Sequence, residues 1–164
     1  MAEIASFAHT PLKEAAFVIP RAGVKQRIPS YSVLHVKMKL RILVADDNRK
    51  ALHALVTALS LEFDVIATAT DGRSALEEIR RLQPSVAVLD LNMPELNGIE
   101  VTREVVRQCL SCAVIICSVE NAPELIEAAL AAGALGYVFK TRLNHDLSIA
   151  VKHAADGKSF ISAD

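Results

Sequence analysis

Five charged or polar residues interrupt apolar runs in this chain of 164 residues: Asp46, Asp47, Asp90, Ser118 and Lys140. Asp46 and Asp47 follow Arg41-Ile-Leu-Val-Ala45, and Asp90 follows Val86-Ala-Val-Leu89. Ser118 closes Ala113 to Cys117, and Lys140 closes Leu135 to Phe139. Three carboxylates brought together repel one another, each pair by about 4 kcal/mol at 4 Å and intermediate dielectric. A divalent cation would neutralise them, and an all-oxygen ligand set suits Mg²⁺ better than zinc. Carboxylate-bound Mg²⁺ suggests phosphate chemistry, with Lys140 and Ser118 contacting the remaining phosphoryl oxygens. One carboxylate can then attack phosphorus and become an acyl phosphate. Asp90 is the natural nucleophile, alone at its strand end before a loop containing Pro94 and Gly98. The Asp46-Asp47 pair is better suited to holding the metal.

These residues meet only if the chain between them returns every strand to the same edge. The pattern from Leu40 onward does this. Leu52, Leu55, Val56 and Leu59 recur at helical spacing within 51–61, and 65–69 reads as a second strand. Asp71-Gly72 turns into a helix over 74–82, with Ala75, Leu76, Ile79 and Leu82 on one face and Pro84 as its stop. A third strand covers 86–89, and a helix runs through Arg107 to a fourth strand at 113–117. Pro123 opens a helix over 124–132 closed by Gly133; strand 135–139 and helix 143–155 follow, with Gly157 just beyond. Five alternating strand-helix pairs predict an α/β fold, a doubly wound parallel sheet with helices on both faces. The strands are continuously apolar, as burial on both faces requires. Ligands of such sheets bind at the carboxyl ends of the strands, where the five residues stand.

Just over half of the residues are apolar, with no Trp and 4% aromatic, so the core must be aliphatic. The formal charge of −1 gives no overall pull toward nucleic acid or membrane. Met1 to Leu40 carries six Lys or Arg against two Asp or Glu, a net +4, and the remainder carries a net −5. Pro11, Pro20 and Pro29 interrupt the leader, and 1–38 is expected to be a disordered extension rather than a targeting segment. Three cysteines argue against a disulfide framework and fit a cytoplasmic setting. Cys109 and Cys112 form a C-x-x-C spacing with no second pair or nearby histidines, and they read as buried or incidental. No apolar run approaches the length of a membrane span.

Ile42-Leu-Val-Ala-Asp46-Asp47-Asn48, Val88-Leu-Asp90-Leu-Asn-Met-Pro94-Glu-Leu-Asn-Gly98, Val114-Ile-Ile-Cys-Ser118 and Gly133-Ala-Leu-Gly-Tyr137-Val-Phe-Lys140 occur in order at suitable separations. Together they resemble the response-regulator receiver family of two-component signalling, over about three quarters of the chain. The resemblance implies a five-stranded, flavodoxin-like sheet of order 2-1-3-4-5, with a receiver domain over 39–157. It implies that Asp90 takes a phosphoryl group from a histidine kinase or phosphotransfer protein. Asp47, Asp90 and the Asn92 carbonyl would bind Mg²⁺, with Asp46 helping directly or through water. Ser118 would swing toward the phosphoryl group, Lys140 would pair with it, and Tyr137 would turn inward. The face of helix four, strand five and helix five would then change, with homodimerisation on phosphorylation the expected result. Asn92 and Glu120 lie where the family tunes dephosphorylation. The chain is thus expected to be a self-phosphorylating and autodephosphorylating switch rather than a conventional enzyme. One departure is Thr141, where family members commonly place Pro after the lysine.

Ala154-Ala-Asp-Gly-Lys-Ser-Phe-Ile-Ser162 resembles the lead-out to a helix-turn-helix domain in one receiver subfamily, so 158–164 reads as a linker remnant. Output is then expected to be transcriptional, with DNA reached only through an absent domain; a stand-alone receiver acting on other proteins is the alternative. Taken singly, the aspartates have ordinary readings as helix caps, Lys140 as a surface residue and Ser118 as a turn former. Jointly those readings require a coincidence at each strand end. A flavin carrier of the same fold would need a phosphate-cradling loop after strand one, where Asp46-Asp47 would repel the phosphate. A dehalogenase-like phosphohydrolase would place its nucleophile after strand one, not after strand three. An adaptor that is never phosphorylated is the remaining rival.

Overall fold

A computed structural model describes residues 39–163; the extension expected over 1–38 lies outside the described residues. β1 (Arg41–Ala45), α1 (Arg49–Ser60), β2 (Asp64–Ala69), α2 (Gly72–Leu82), β3 (Val86–Asp90) and α3 (Gly98–Arg107) form the first half. β4 (Ala113–Ser118), α4 (Pro123–Ala131), β5 (Gly136–Phe139), a 3₁₀ turn (Lys140–Arg142), α5 (Leu143–Ala155) and β6 (Phe160–Ile161) complete it. All strand pairings are parallel, in the order β2-β1-β3-β4-β5-β6. The expected five-stranded sheet is therefore corrected to six, its first five strands in the anticipated order. β6 escaped notice because a two-residue strand has no periodicity to read.

Strand alternation divides the core into two layers. Leu43, Ala45, Ala87, Leu89 and Ile116 pack with Ala75, Leu76, Ile79, Val101, Val105 and Ala129, so α2, α3 and α4 cover one face. Ile42, Val44, Val86, Val88 and Ile115 pack with Leu55, Leu59, Leu147, Ala150 and Val151, so α1 and α5 cover the other. Each fully buried Leu, Ile or Val contributes about 1.5–3 kcal/mol relative to exposure, which makes this aliphatic core sufficient without Trp.

Helix starts are set by local hydrogen bonding. Asn48, not either neighbouring aspartate, caps α1 by accepting from the amides of Lys50 and Ala51. Asp46 and Asp47 are therefore not spent on capping. Asp71 caps α2 through the Ser74 amide. Asn97 and Glu100 form a reciprocal capping box that fixes the start of α3 after the Asp90 loop. Gly98 is required there: a Cβ would stand 2.4 Å from the Asp90 carbonyl oxygen. Helix ends fall at Gly133 and Gly157, both with positive φ, as the sequence suggests.

Candidate functional site

The carboxyl ends of β1, β3, β4 and β5 bring Asp46, Asp47, Asp90, Ser118 and Lys140 to one edge of the sheet. Oxygens of Asp46, Asp47 and Asp90 lie within 4.8 Å of one another. Asp46 is fully buried, Asp90 nearly so, and Asp47 is exposed. Their orientation is local in origin. The Asn48 amide donates to Asp46 Oδ1 at 2.9 Å, and the Asn92 amide donates to Asp90 Oδ2 at 3.0 Å. Both are Asx turns, in which a short acid binds the backbone two residues on. The recurring Asp-x-Asn, at 46–48 and 90–92, is the sequence trace of this geometry.

Lys140 reaches back between the two buried acids, its Nζ 2.6 Å from Asp46 Oδ2 and 2.7 Å from Asp90 Oδ1. Burial alone disfavours its charged form, but hydrogen bonding and attraction from Asp46 and Asp90 outweigh this and raise its pKa. Asp90 is also pushed up from the ordinary carboxylate value. Burial is the main cause, Lys140 opposes it, and repulsion from Asp46 adds to it. The two shifts are compatible because one ammonium is shared by two carboxylates. A carboxylate raised in this way is more basic, and so a better nucleophile once ionised.

Beside this cluster, Ser118 Oγ accepts from the Glu120 amide at 3.1 Å, and Asn92 Nδ2 donates to Glu120 Oε1 at 2.7 Å. Tyr137 is fully buried, its hydroxyl donating to the Glu120 carbonyl at 2.9 Å. The β4–α4 segment is thus tied to the Asp90 loop through Asn92 and to β5 through Tyr137. An open cleft of about 230 Å³ is lined by Asn92, Glu120 and Arg103 among others.

The residues present fit a hard divalent cation. All three converging groups are carboxylates. Asp46 Oδ2 is buried against the Lys140 ammonium, and a carboxylate oxygen in that position keeps a lone pair for a cation. The cysteines play no part in this site. Cys112 and Cys117 are pushed up to about 12 by burial, so neither is a ready thiolate. Among the described residues, no helix is long and apolar enough to cross a membrane.

Acids and a lysine converge at the carboxyl edge of this parallel α/β sheet, a site suited to phosphoryl chemistry. Residues 42–152 match the family described as the response regulator receiver domain, and the chain belongs to that family. It is 31% identical over 125 residues to the transcriptional regulatory protein DegU of Brevibacillus brevis, covering 75% of this chain and 53% of that protein. It is 33% identical over 126 residues to a probable transcriptional regulatory protein NarL of Mycobacterium tuberculosis, covering 76% and 58%. The chain thus spans roughly half of these relatives' length. Chemotaxis protein CheY of Thermotoga maritima is 31% identical over 106 residues, covering 63% of this chain and 87% of that protein. The solved signal receiver domain of the putative response regulator NarL from M. tuberculosis superposes with a TM-score of 0.72 at 34% identity, covering 74% of this chain and 99% of that one.

Proposed function

We propose that this chain is a phosphorylatable switch in which Asp90 accepts a phosphoryl group from a histidine kinase or phosphotransfer protein. The observation that carries this reading is the nearly buried Asp90, held by the Asn92 amide and facing Lys140 among two further carboxylates. An Asp90 oxygen attacks phosphorus; the new O–P bond forms as the donor's bond to phosphorus breaks, and the leaving group departs with the electron pair. The residues that would hold Mg²⁺ are Asp46, Asp47, Asp90 and the Asn92 carbonyl; when bound, it offsets negative charge as the phosphoryl group approaches.

Lys140 supplies a cation whose position is already fixed by Asp46 and Asp90. Ser118, one strand over from Asp90, offers a hydroxyl to a phosphoryl oxygen in exchange for its bond to the Glu120 amide. That exchange is how charge at Asp90 reaches the surface. Moving Ser118 disturbs Glu120, whose carbonyl holds the Tyr137 hydroxyl, and so shifts the α4–β5–α5 face. Asn92 and Glu120 flank the site and would regulate water access to the acyl phosphate. Homodimerisation through the switched face is expected, and sedimentation unchanged by phosphorylation would contradict it. Transcriptional regulation is the proposed output, a reading supported by the transcriptional regulatory proteins that the chain resembles.

Intact mass after incubation with acetyl phosphate tests the reading. One phosphoryl adduct that requires Mg²⁺ and is absent from Asp90→Asn is expected. A folded wild type that takes no adduct from acetyl phosphate or from a kinase would favour the adaptor reading instead.

A further inference from the structure

β6 and the residue after it lie beyond the stretch 42–152 that matches the receiver family. They nevertheless finish the β5 edge next to Lys140. Gly136 pairs with Phe160 and Tyr137 with Ile161; the Phe160 amide donates to the Leu135 carbonyl and the Ser162 amide to the Tyr137 carbonyl, both at 2.9 Å. At the next rung the ladder changes character. The Phe139 amide donates not to a backbone carbonyl but to Ser162 Oγ, at 3.2 Å.

The Ser162 hydroxyl is oriented by what lies behind it. It donates to Asp146 Oδ2 at 2.7 Å, which turns its lone pairs toward the Phe139 amide. Arg142 Nε donates to the same Asp146 oxygen at 3.0 Å. Ser162 and Asp146 are both buried, and bonds to an ionised acceptor are shorter and stronger than neutral ones. Phe139 immediately precedes Lys140, and Arg142 closes the 3₁₀ turn that Lys140 opens. The backbone carrying Lys140 is therefore gripped on both sides by one network: Ser162 on the strand side and Asp146, through Arg142, on the helix side.

We propose that Ser162, oriented by Asp146, is a positioning residue for Lys140, so that phosphoryl capture at Asp90 depends on the C-terminal strand. This rests on the phosphoacceptor reading above. Lys140 Nζ must lie within hydrogen-bonding reach of two fixed carboxylates, and its placement depends on the backbone between 139 and 142. Losing the Ser162 hydroxyl leaves the Phe139 amide without its acceptor and the Asp146 carboxylate without its nearest donor. The turn can then relax away from the site.

The test is the rate of adduct formation with phosphoramidate and Mg²⁺ for wild type, Ser162→Ala, Ser162→Thr and Ile161→Ala. Ser162→Ala should slow the reaction about tenfold, in line with the sensitivity of reacting groups to small misplacements. Ser162→Thr keeps the hydroxyl and should restore the rate to within about twofold of wild type. Ile161→Ala trims the half-exposed strand residue beside it without touching the hydroxyl, and should also stay within about twofold. A wild-type rate in Ser162→Ala, equal slowing in Ile161→Ala, or no rescue by Thr would each overturn the proposal and leave β6 as an edge cover only. If Ser162→Ala does not fold, Asp146→Ala replaces it under the same criteria. A wild type that takes no adduct from phosphoramidate, acetyl phosphate or a kinase would remove the phosphoacceptor reading itself, and this proposal with it.

Discussion

Replacing Lys140 with Met removes the ammonium and keeps an unbranched side chain of similar length. In the wild type, Nζ stands 2.6 Å from Asp46 Oδ2 and 2.7 Å from Asp90 Oδ1, and Asp46 has no exposure at all. Unit charges that close attract by about 6 kcal/mol per pair at an effective dielectric of 20, a gross figure that desolvation largely cancels. What the variant loses is the neutralisation of two buried acids, and deleting one partner of a buried pair costs about 3–5 kcal/mol. The Lys140 side chain retains 16% exposure, so some water reaches it and the lower end, about 3 kcal/mol, is expected. A small domain has about 5–15 kcal/mol to lose, so the variant should still fold. Mg²⁺ would use the same carboxylates, and in the wild type it must compete with the ammonium for them. Saturating Mg²⁺ should therefore stabilise Lys140→Met more than wild type; a cation at a hundred times its Kd adds about 2.7 kcal/mol. Urea unfolding followed by circular dichroism, with EDTA or with Mg²⁺, reads both effects. A variant within about 0.5 kcal/mol of wild type in EDTA, or a larger Mg²⁺ effect on the wild type, would show that Lys140 does not neutralise the two acids.

Asp90→Asn should be more stable than wild type at neutral pH, against the usual loss of about 1 kcal/mol for a point substitution. The sign follows from the raised pKa of Asp90: its contribution favours folding at acid pH and is lost as the pH rises above 3.8 through the folded value. The gain in urea unfolding should accordingly grow from acid to neutral pH, and a constant or inverted difference would contradict it. Asp146 behaves oppositely. Ser162 first and Arg142 second hold it below the ordinary value, so its contribution is present above 3.8 and lost as the pH falls through the folded value. Asp146→Asn should therefore shrink the acid limb of the wild-type stability curve. Gly98→Ala places a Cβ 2.4 Å from the Asp90 carbonyl oxygen, and should cost about 1–3 kcal/mol and slow adduct formation; a neutral effect on both would show that the loop gives way.

The layers of this fold could be read from the chain because its strands are continuous apolar runs and its helices carry one apolar face each. Polar residues at the ends of those runs, Asp46, Asp90, Ser118 and Lys140, marked the carboxyl edge without any geometry. Their mutual arrangement was not legible. That Lys140 is shared between Asp46 and Asp90 depends on the register of β1, β3, β4 and β5, which no local pattern encodes. The Asp-x-Asn turns were visible as residues, but their role in orienting both acids appears only with the backbone amides in place. Tyr137 stands inside and bonds to a carbonyl seventeen residues earlier, a contact set by the β4–β5 pairing. The Ser162–Asp146–Arg142 network was missed altogether. Ser162 belongs to a segment read as a lead-out, and its partner Asp146 looks like an ordinary first-turn acid of α5.

The phosphoryl-bearing residue, Asp90 under the proposed function, can be identified directly. Borohydride reduction of the acetyl phosphate-treated protein converts an aspartyl phosphate to homoserine, and peptide mass spectrometry then locates the residue. Homoserine is expected at position 90 in the presence of Mg²⁺, and none there with EDTA or in Asp90→Asn. Homoserine at position 46 or 47 in the wild type, or homoserine at position 90 after a reaction run in EDTA, would contradict it.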